Sequence, residues 1–167
     1  MAIIVETGAI VAGANSYVSL ADARAYASAR GVTLSAVDAT LEPMVIKAMD
    51  FVESHSAQFV GERVLRDQPL SWPRVGAVVE RWEWASTEIP RQLINATLAT
   101  VVEVAAGTDP FNPPLAALPT IKERVEGAVE LAYAAPRGGD FKVAKDREAL
   151  VQLRMLLRNS GLFAVRA

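Results

Sequence analysis

One long apolar segment, residues 89–106, constrains the fold of this chain most strongly. Pro90 stands at its start and Gly107 directly follows its end, and these two residue types favour the first turn and the termination of an α-helix. Between Leu93 and Ala106 the polar residues are too few for a helix with one fully solvated side. They are Asn95, Thr97, Thr100 and Glu103. We therefore predict that this helix is the central and most buried one.

A shorter helix is predicted over residues 20–30. Ser19 can cap its first turn, and Asp22 stands three residues later as in a capping box. Gly31 can end the helix in the left-handed conformation.

Two further helices are predicted on either side of the central one. The second helix follows the cap candidate Thr40, keeps Pro43 in its first turn, where no hydrogen bond is lost, and ends near residues 54–57. The last helix runs from about Lys145 to Arg158 and presents Leu150, Leu153 and Leu157 on one face.

Residues 121–133 alternate between apolar and charged side chains, which favours a strand, or a hairpin bent at Gly127. A helix aligning Ile121, Val125, Ala128 and Ala132 remains the alternative. These elements predict a mainly α fold, a small helical bundle of about four helices with a short strand or β-hairpin as a minor component. One domain spans residues 1–167, with a loop and strand or hairpin over 108–143 and the C-terminal helix and tail over 145–167.

The residues offer little for catalysis. There is no cysteine and one histidine, His55, so a thiol nucleophile is excluded and a zinc site is disfavoured. A hydrolase using His55 is the weakest of the functional hypotheses. We predict no enzyme activity, no cofactor and no metal. The apolar segments are too short or too interrupted to span a membrane, and the net charge of −2 provides no general attraction to DNA or lipid.

Residues 58–86 carry all three tryptophans but no helical or strand periodicity. We predict a long connection that is either a functional loop or one held by its aromatic side chains. Tryptophan and arginine are enriched in protein interfaces, and together they also suit stacking and phosphate contacts with single-stranded DNA. Trp72, beside Pro73, is predicted to lie in the core. Trp82 and Trp84 are predicted to share one face of an extended segment and to act as interface contacts or as anchors of the loop.

The most specific string in the sequence contains Gln68, Leu70, Trp72, Pro73, Arg74 and Gly76. Further distinctive segments are Gly13–Ala23, Ala48–Val52, Phe59–Arg63 and Glu88–Pro90. These segments resemble a family of phage and prophage neck proteins, the head–tail connector adaptors or head-completion proteins, and the resemblance covers most of residues 13–107. Related sequences are often labelled DnaT-like, after a primosomal protein that binds single-stranded DNA.

The resemblance implies a structural adaptor of the virion neck, assembled in the host cytoplasm. Such a protein forms a ring, often of twelve copies, between the portal protein and a downstream neck or tail protein, and DNA passes through its channel. The alternative is a DnaT-like module that binds single-stranded DNA. The interface candidates are Arg63, Trp72, Arg74, Trp82, Trp84, Phe163 and Arg166.

Overall fold

The computed structural model describes residues 2–112, 122–125, 129–132 and 147–158. For 122–125 and 129–132 only the backbone is described. In this part of the chain four α-helices are present: α1 (Leu20–Ser28), α2 (Asp38–Glu53), α3 (Arg91–Ala105) and α4 (Glu148–Arg154). None of these helices is long and apolar enough to cross a bilayer.

The helix α3 is the centre of the packing, as its sequence predicts. It contacts α1, α2 and α4, and most of its middle turns are buried, including Leu93, Ala96 and Val101. The two threonines that face the core, Thr97 and Thr100, donate their hydroxyl groups to the carbonyl oxygens four residues earlier, at 3.0 and 2.8 Å. These bonds satisfy polar groups that would otherwise be costly to bury.

The N-termini of α1 and α2 differ in how they are capped. In α1 the predicted capping box is confirmed, because Ser19 Oγ accepts the Asp22 N–H and Asp22 accepts the Ser19 N–H. The predicted cap of α2, Thr40, is wrong. This helix begins at Asp38 after Val37, so that Pro43 lies beyond the first turn. No side chain caps α2, and the Arg24 side chain from α1 instead holds the residues before this helix by donating to Ser35 O, Ala36 O and Asp38 Oδ1.

The prediction of a mainly α fold is wrong, because the described residues form an α+β fold. Three antiparallel strand pairs accompany the helices: β1 (Glu62–Arg63) with β2 (Arg74–Val75), β3 (Val78–Val79) with β4 (Trp82–Glu83), and β5 (Lys122–Val125) with β6 (Val129–Ala132). The pair β5–β6 agrees with the favoured reading of residues 121–133 as a hairpin. The other two pairs lie where the sequence predicts no regular structure, because two-residue strands are too short to show an alternating pattern.

Backbone hydrogen bonds join the end of α4 to the segment that follows α2. The Val60 N–H donates to Leu156 O at 2.9 Å, and the Arg158 N–H donates to Gln58 O at 2.6 Å. Leu153 and Leu156 are fully buried beside this junction. These bonds fix the residues that follow α4 to the segment that leads into β1.

Candidate functional site

Trp72 lies at the centre of the fold and is fully buried. Its ring meets Phe59 edge to face, with centroids 6.1 Å apart, and its backbone N–H donates to the Tyr17 hydroxyl at 3.0 Å. The predicted core position of Trp72 is therefore confirmed. The same burial removes Trp72 from the set of surface anchors.

A partly buried polar network holds the Trp72 loop against α2 and against the segment that precedes α1. The Tyr17 hydroxyl donates to Glu53 Oε1 at 2.5 Å. Ser71 donates its backbone N–H to Glu53 Oε2 at 3.0 Å and its hydroxyl to the same oxygen. Burial, and then the negative charge of Glu53, raise the pKa of Tyr17 well above its ordinary value. Tyr17 therefore remains a neutral donor to the carboxylate.

Arg74 is also buried, and its contacts are carbonyl oxygens rather than carboxylates. Its guanidinium donates to Val60 O at 2.7 Å, Gly61 O at 2.8 Å and Ser71 O at 3.2 Å. Burial, and then the positive charges of Arg158 and Arg63, lower the pKa of Arg74, although an arginine stays protonated in a protein. Arg74 organises the base of β1 and β2, so its candidacy as a surface contact is wrong.

Gln68 belongs to the same string of the sequence as Trp72 and Arg74, and its side chain also contacts the backbone of the Trp72 loop. Its amide group donates to Leu70 O at 2.7 Å and to Pro73 O at 3.0 Å, and it accepts the Leu65 N–H at 3.0 Å. The peptide bond between Trp72 and Pro73 is cis. Gln68, Trp72 and Arg74 therefore maintain a loop conformation, and the string is a folding element.

The most exposed aromatic side chain in the described residues is Trp82, on the hairpin formed by β3 and β4. It is 77% exposed and stands opposite Val79 across a two-residue turn. The turn residues Glu80 and Arg81 have φ angles of 52° and 72°. Positive φ at both positions matches the twist of a tight hairpin, but residues other than glycine, asparagine and aspartate adopt it at a cost.

Trp84 is more buried than Trp82. It follows β4, packs partly buried against the core, and donates its backbone N–H to Ala77 O at 2.9 Å. With Val75, it lines a shallow cavity of about 280 Å³. Only Trp82 presents most of its ring to solvent.

Aliphatic and basic side chains are exposed around Trp82 in what we call the hairpin segment, residues 62–83. Leu65, Val75 and Val78 are each about half exposed, at 53%, 50% and 53%. The exposed basic side chains of the segment are Arg63, Arg66 and Arg81. Acidic side chains are interspersed, including Glu62, Glu80 and Glu83. The hairpin segment can therefore offer stacking, apolar contact and guanidinium groups, but no nucleophile or acid–base pair.

His55 lies at the end of α2, as the sequence predicts. Its ring packs edge to face on Phe51 with centroids 5.1 Å apart, and Nδ1 is 3.0 Å from Phe51 O. Across the residues that the structure describes, no three histidine, cysteine or acidic side chains cluster as metal ligands would. The absence of enzyme activity stays a prediction.

Sequence reasoning missed Arg158, which reaches the base of the hairpin segment from the other end of the chain. Its Nη2 donates to Gly61 O at 3.0 Å, the same oxygen that Arg74 contacts. No sequence pattern connects positions 97 residues apart. The candidates Phe163 and Arg166 lie outside the described residues.

One of three comparisons with known proteins assigns the chain to a family. No curated protein and no solved structure matches it. A family model described as "Putative DnaT-like ssDNA binding protein" matches residues 1–167. The DnaT-like label in the resemblance is confirmed, whereas the head–tail connector stays a prediction. Because the match extends over the whole chain, this protein belongs to the DnaT-like family that this model describes.

Proposed function

We propose that this protein binds single-stranded DNA without catalysis, and that a base stacks on Trp82. The observation that carries the proposal is the 77% exposure of this indole on a tight hairpin. An unpaired base presents the aromatic face that an exposed ring can cover, and such a contact contributes about 1–3 kcal/mol per base. The description of the matching family points to the same ligand.

The turn beside Trp82 supports this role. Glu80 and Arg81 occupy the left-handed region, which costs a residue with a side chain about 1–2 kcal/mol. Backbone strain of this kind is concentrated at binding sites. Arg81 directly precedes Trp82 and supplies a guanidinium group to a phosphate of the nucleotide whose base stacks.

The test is the binding of a fluorescently labelled oligothymidine, followed by anisotropy at low salt. We expect Trp82→Ala to weaken binding about 5-fold to 150-fold, the range that corresponds to the loss of one stacked base. Trp82→Phe should keep most of the affinity, because phenylalanine retains an aromatic face. Val78→Ala, a change at an exposed apolar side chain of the same hairpin, is the matched control and should bind as the wild type does.

Two results would contradict the proposal. One is the absence of binding by the wild type at low salt. The other is equal affinity of the wild type and Trp82→Ala. Duplex DNA of the same length should compete poorly, because its bases are already stacked.

A second candidate function is the head–tail connector adaptor, and the exposed aliphatic side chains of the hairpin segment favour it. Leu65, Val75 and Val78 contribute apolar surface that a nucleic acid backbone does not need but a protein partner covers. In this proposal the segment contacts a second copy in a ring or the portal protein of a virion neck.

Association state separates the two candidates. An adaptor should form rings or concentration-dependent oligomers in sedimentation velocity, or bind a cognate portal protein, and Val78→Asp should disrupt either assembly. A DNA-binding monomer should gain mass only when oligonucleotide is added. If the protein stays monomeric at high concentration and does not bind the portal protein, the adaptor hypothesis is contradicted.

A further inference from the structure

A shallow cavity opens at the end of the β3–β4 hairpin that lies away from its turn. The Trp84 N–H, which donates to Ala77 O, extends this hairpin by one hydrogen bond. Beyond that bond the two segments separate, because Val75 pairs with β1 instead. The cavity between them has a volume of about 280 Å³, and we call it the hairpin cavity. Its described lining residues are Val75, Gly76, Glu83, Trp84, Ala85 and Ser86.

The lining of the hairpin cavity combines apolar walls with hydrogen-bonding groups. Val75 is half exposed and Trp84 packs only partly into the core, so both can cover an apolar ring. Among the described lining residues, exposed Glu83 carries the one charged side chain, and Ser86 adds a hydroxyl group. Mostly apolar walls with a few polar groups that fix orientation are typical of sites for small organic groups. The Glu83 carboxylate would repel a phosphate but would accept a neutral ring that carries N–H donors.

The hairpin cavity begins one residue after Trp82. Residues of a strand rise by about 3.4 Å each, so Trp84 lies about 7 Å further along the chain. Neighbouring bases of a duplex strand are only about 3.4 Å apart, so bases at Trp82 and in the cavity have to be unstacked from each other. Single-strand recognition separates bases in this way and gives each its own surface. Because the cavity is a gap between separated segments, side chains from both faces of the hairpin reach it.

We propose that the hairpin cavity holds the base next to the one stacked on Trp82, and that Glu83 selects bases with an exocyclic amino group. The inference rests on the DNA binding proposed above and specifies which bases the site prefers. A carboxylate accepts a hydrogen bond from the amino group of cytosine. Uracil and thymine present a carbonyl oxygen at the same ring position, and two acceptors repel each other.

The test compares oligodeoxycytidine with oligodeoxyuridine of the same length, by fluorescence anisotropy at low salt and neutral pH. The two bases have the same ring size and differ at the position that Glu83 contacts. The wild type should bind the cytidine oligomer about 5-fold more tightly, the lower end of the discrimination that a base-edge contact gives. The lower end applies because solvent screens the exposed Glu83 carboxylate.

Two matched variants identify the selecting carboxylate. Glu83→Gln should remove most of the preference, because an amide donates to the uracil carbonyl as well as accepting from the cytosine amino group. Glu80→Gln removes the same charge from the same hairpin but lies outside the described lining of the cavity. It should change the affinity for both oligomers by one factor and leave their ratio unchanged. Binding of the uridine oligomer by Glu83→Gln shows that this variant is folded.

The outcomes separate base selection from DNA binding itself. Equal affinity of the wild type for both oligomers, or a preference that Glu83→Gln keeps, overturns the selection while stacking on Trp82 stands. A preference that is lost in Glu80→Gln and kept in Glu83→Gln also overturns it, since the selecting carboxylate then lies in the turn. If neither oligomer binds at low salt, the proposed DNA binding and the base selection both fail.

Discussion

At the scale of single residues, the Glu53 side chain connects separate parts of the fold. One carboxylate accepts hydrogen bonds from the Tyr17 hydroxyl, the Ser71 N–H and the Ser71 hydroxyl, and thereby joins α2 to the segment that precedes α1 and to the Trp72 loop. Hydrogen bonds to a charged acceptor contribute more than those between neutral groups. Removing this carboxylate should therefore lower the free energy of unfolding more than removing an ordinary surface carboxylate does.

Glu53→Gln should lower the free energy of unfolding by about 1–3 kcal/mol, because the amide keeps the size but replaces one acceptor oxygen with a donor. Urea unfolding measures the difference. The matched control is Asp50→Asn in the same helix, where the side chain is exposed and the change should stay within about 0.5 kcal/mol. Equal effects of the two substitutions would contradict the role assigned to the network.

Tyr17 makes stability depend on pH in the alkaline range. In the unfolded chain its hydroxyl ionises near pH 10, whereas burial and Glu53 raise its pKa in the folded protein. The stabilising contribution is complete below pH 10 and is lost as the pH rises toward the folded-state pKa. The free energy of unfolding should therefore fall above about pH 10, and less steeply in Tyr17→Phe.

Tyr26 supplies the control for this pH dependence. Partial burial, and then its hydrogen bond to Glu148, raise the pKa of Tyr26 to about 12. Its hydroxyl contact is exposed, so solvent screens the effect and Tyr26→Phe should flatten the pH profile less than Tyr17→Phe does. If the free energy of unfolding fell equally steeply with pH in the wild type and in Tyr17→Phe, the role given to Tyr17 would be wrong.

At the scale of elements, the close approach of β1 to the link between β2 and β3 depends on Gly61. Its φ angle is 70°, and a Cβ atom there would lie 2.6 Å from Val75 O and 2.8 Å from Ala77 N. Gly76 has a similar φ of 64°, but a Cβ atom there meets nothing within 4 Å. The two glycines separate the cost of a left-handed backbone from the cost of a steric clash.

Gly61→Ala should therefore destabilise the protein by more than about 2 kcal/mol, and Gly76→Ala by about 1–2 kcal/mol, since the second substitution pays the conformational cost alone. Thermal unfolding of both variants checks the order. If Gly76→Ala is the more damaging substitution, the close approach at Gly61 is not what shapes the hairpin segment.

The sequence predicts those elements that depend on interactions between residues close together in the chain, and it misses those that depend on tertiary contacts. The capping box of Ser19 and Asp22 and the apolar length of α3 are local, and both are predicted. The start of α2 has no side-chain cap, and the strands β1–β4 depend on tertiary contacts of Arg74 and Gly61, so neither shows a local pattern. For the site, the sequence identifies Trp82 and Arg63 but cannot distinguish buried Arg74 from an exposed arginine, and it misses Arg158.

At the scale of the whole molecule, the helices and the hairpin segment share one core. The helix α3 packs against the other three helices, and Trp72 lies in the same hydrophobic cluster as Leu93, Val45 and Leu153. A single core favours all-or-none unfolding. The net charge of −2 provides no general attraction to DNA, so any affinity for it has to come from local groups.

One cooperative transition is therefore expected. In the variant Trp82→Phe, Trp84→Phe, fluorescence reports only on buried Trp72, while far-ultraviolet circular dichroism reports on the helices. The two signals should give the same urea midpoint within error. Separate midpoints would mean that the Trp72 loop unfolds independently of the helical core.

The hydrogen bonds between residues 58–60 and 156–158 affect the order in which parts of the fold can form during synthesis. Gly61 O accepts a hydrogen bond from Arg158, which lies 97 residues further along the chain, and the Val60 N–H donates to Leu156 O. The base of the hairpin segment therefore cannot be completed until the ribosome has added α4 and the residues that directly follow it. A polypeptide interrupted before α4 would contain α1, α2 and α3 but would lack these contacts at the base of the hairpin segment.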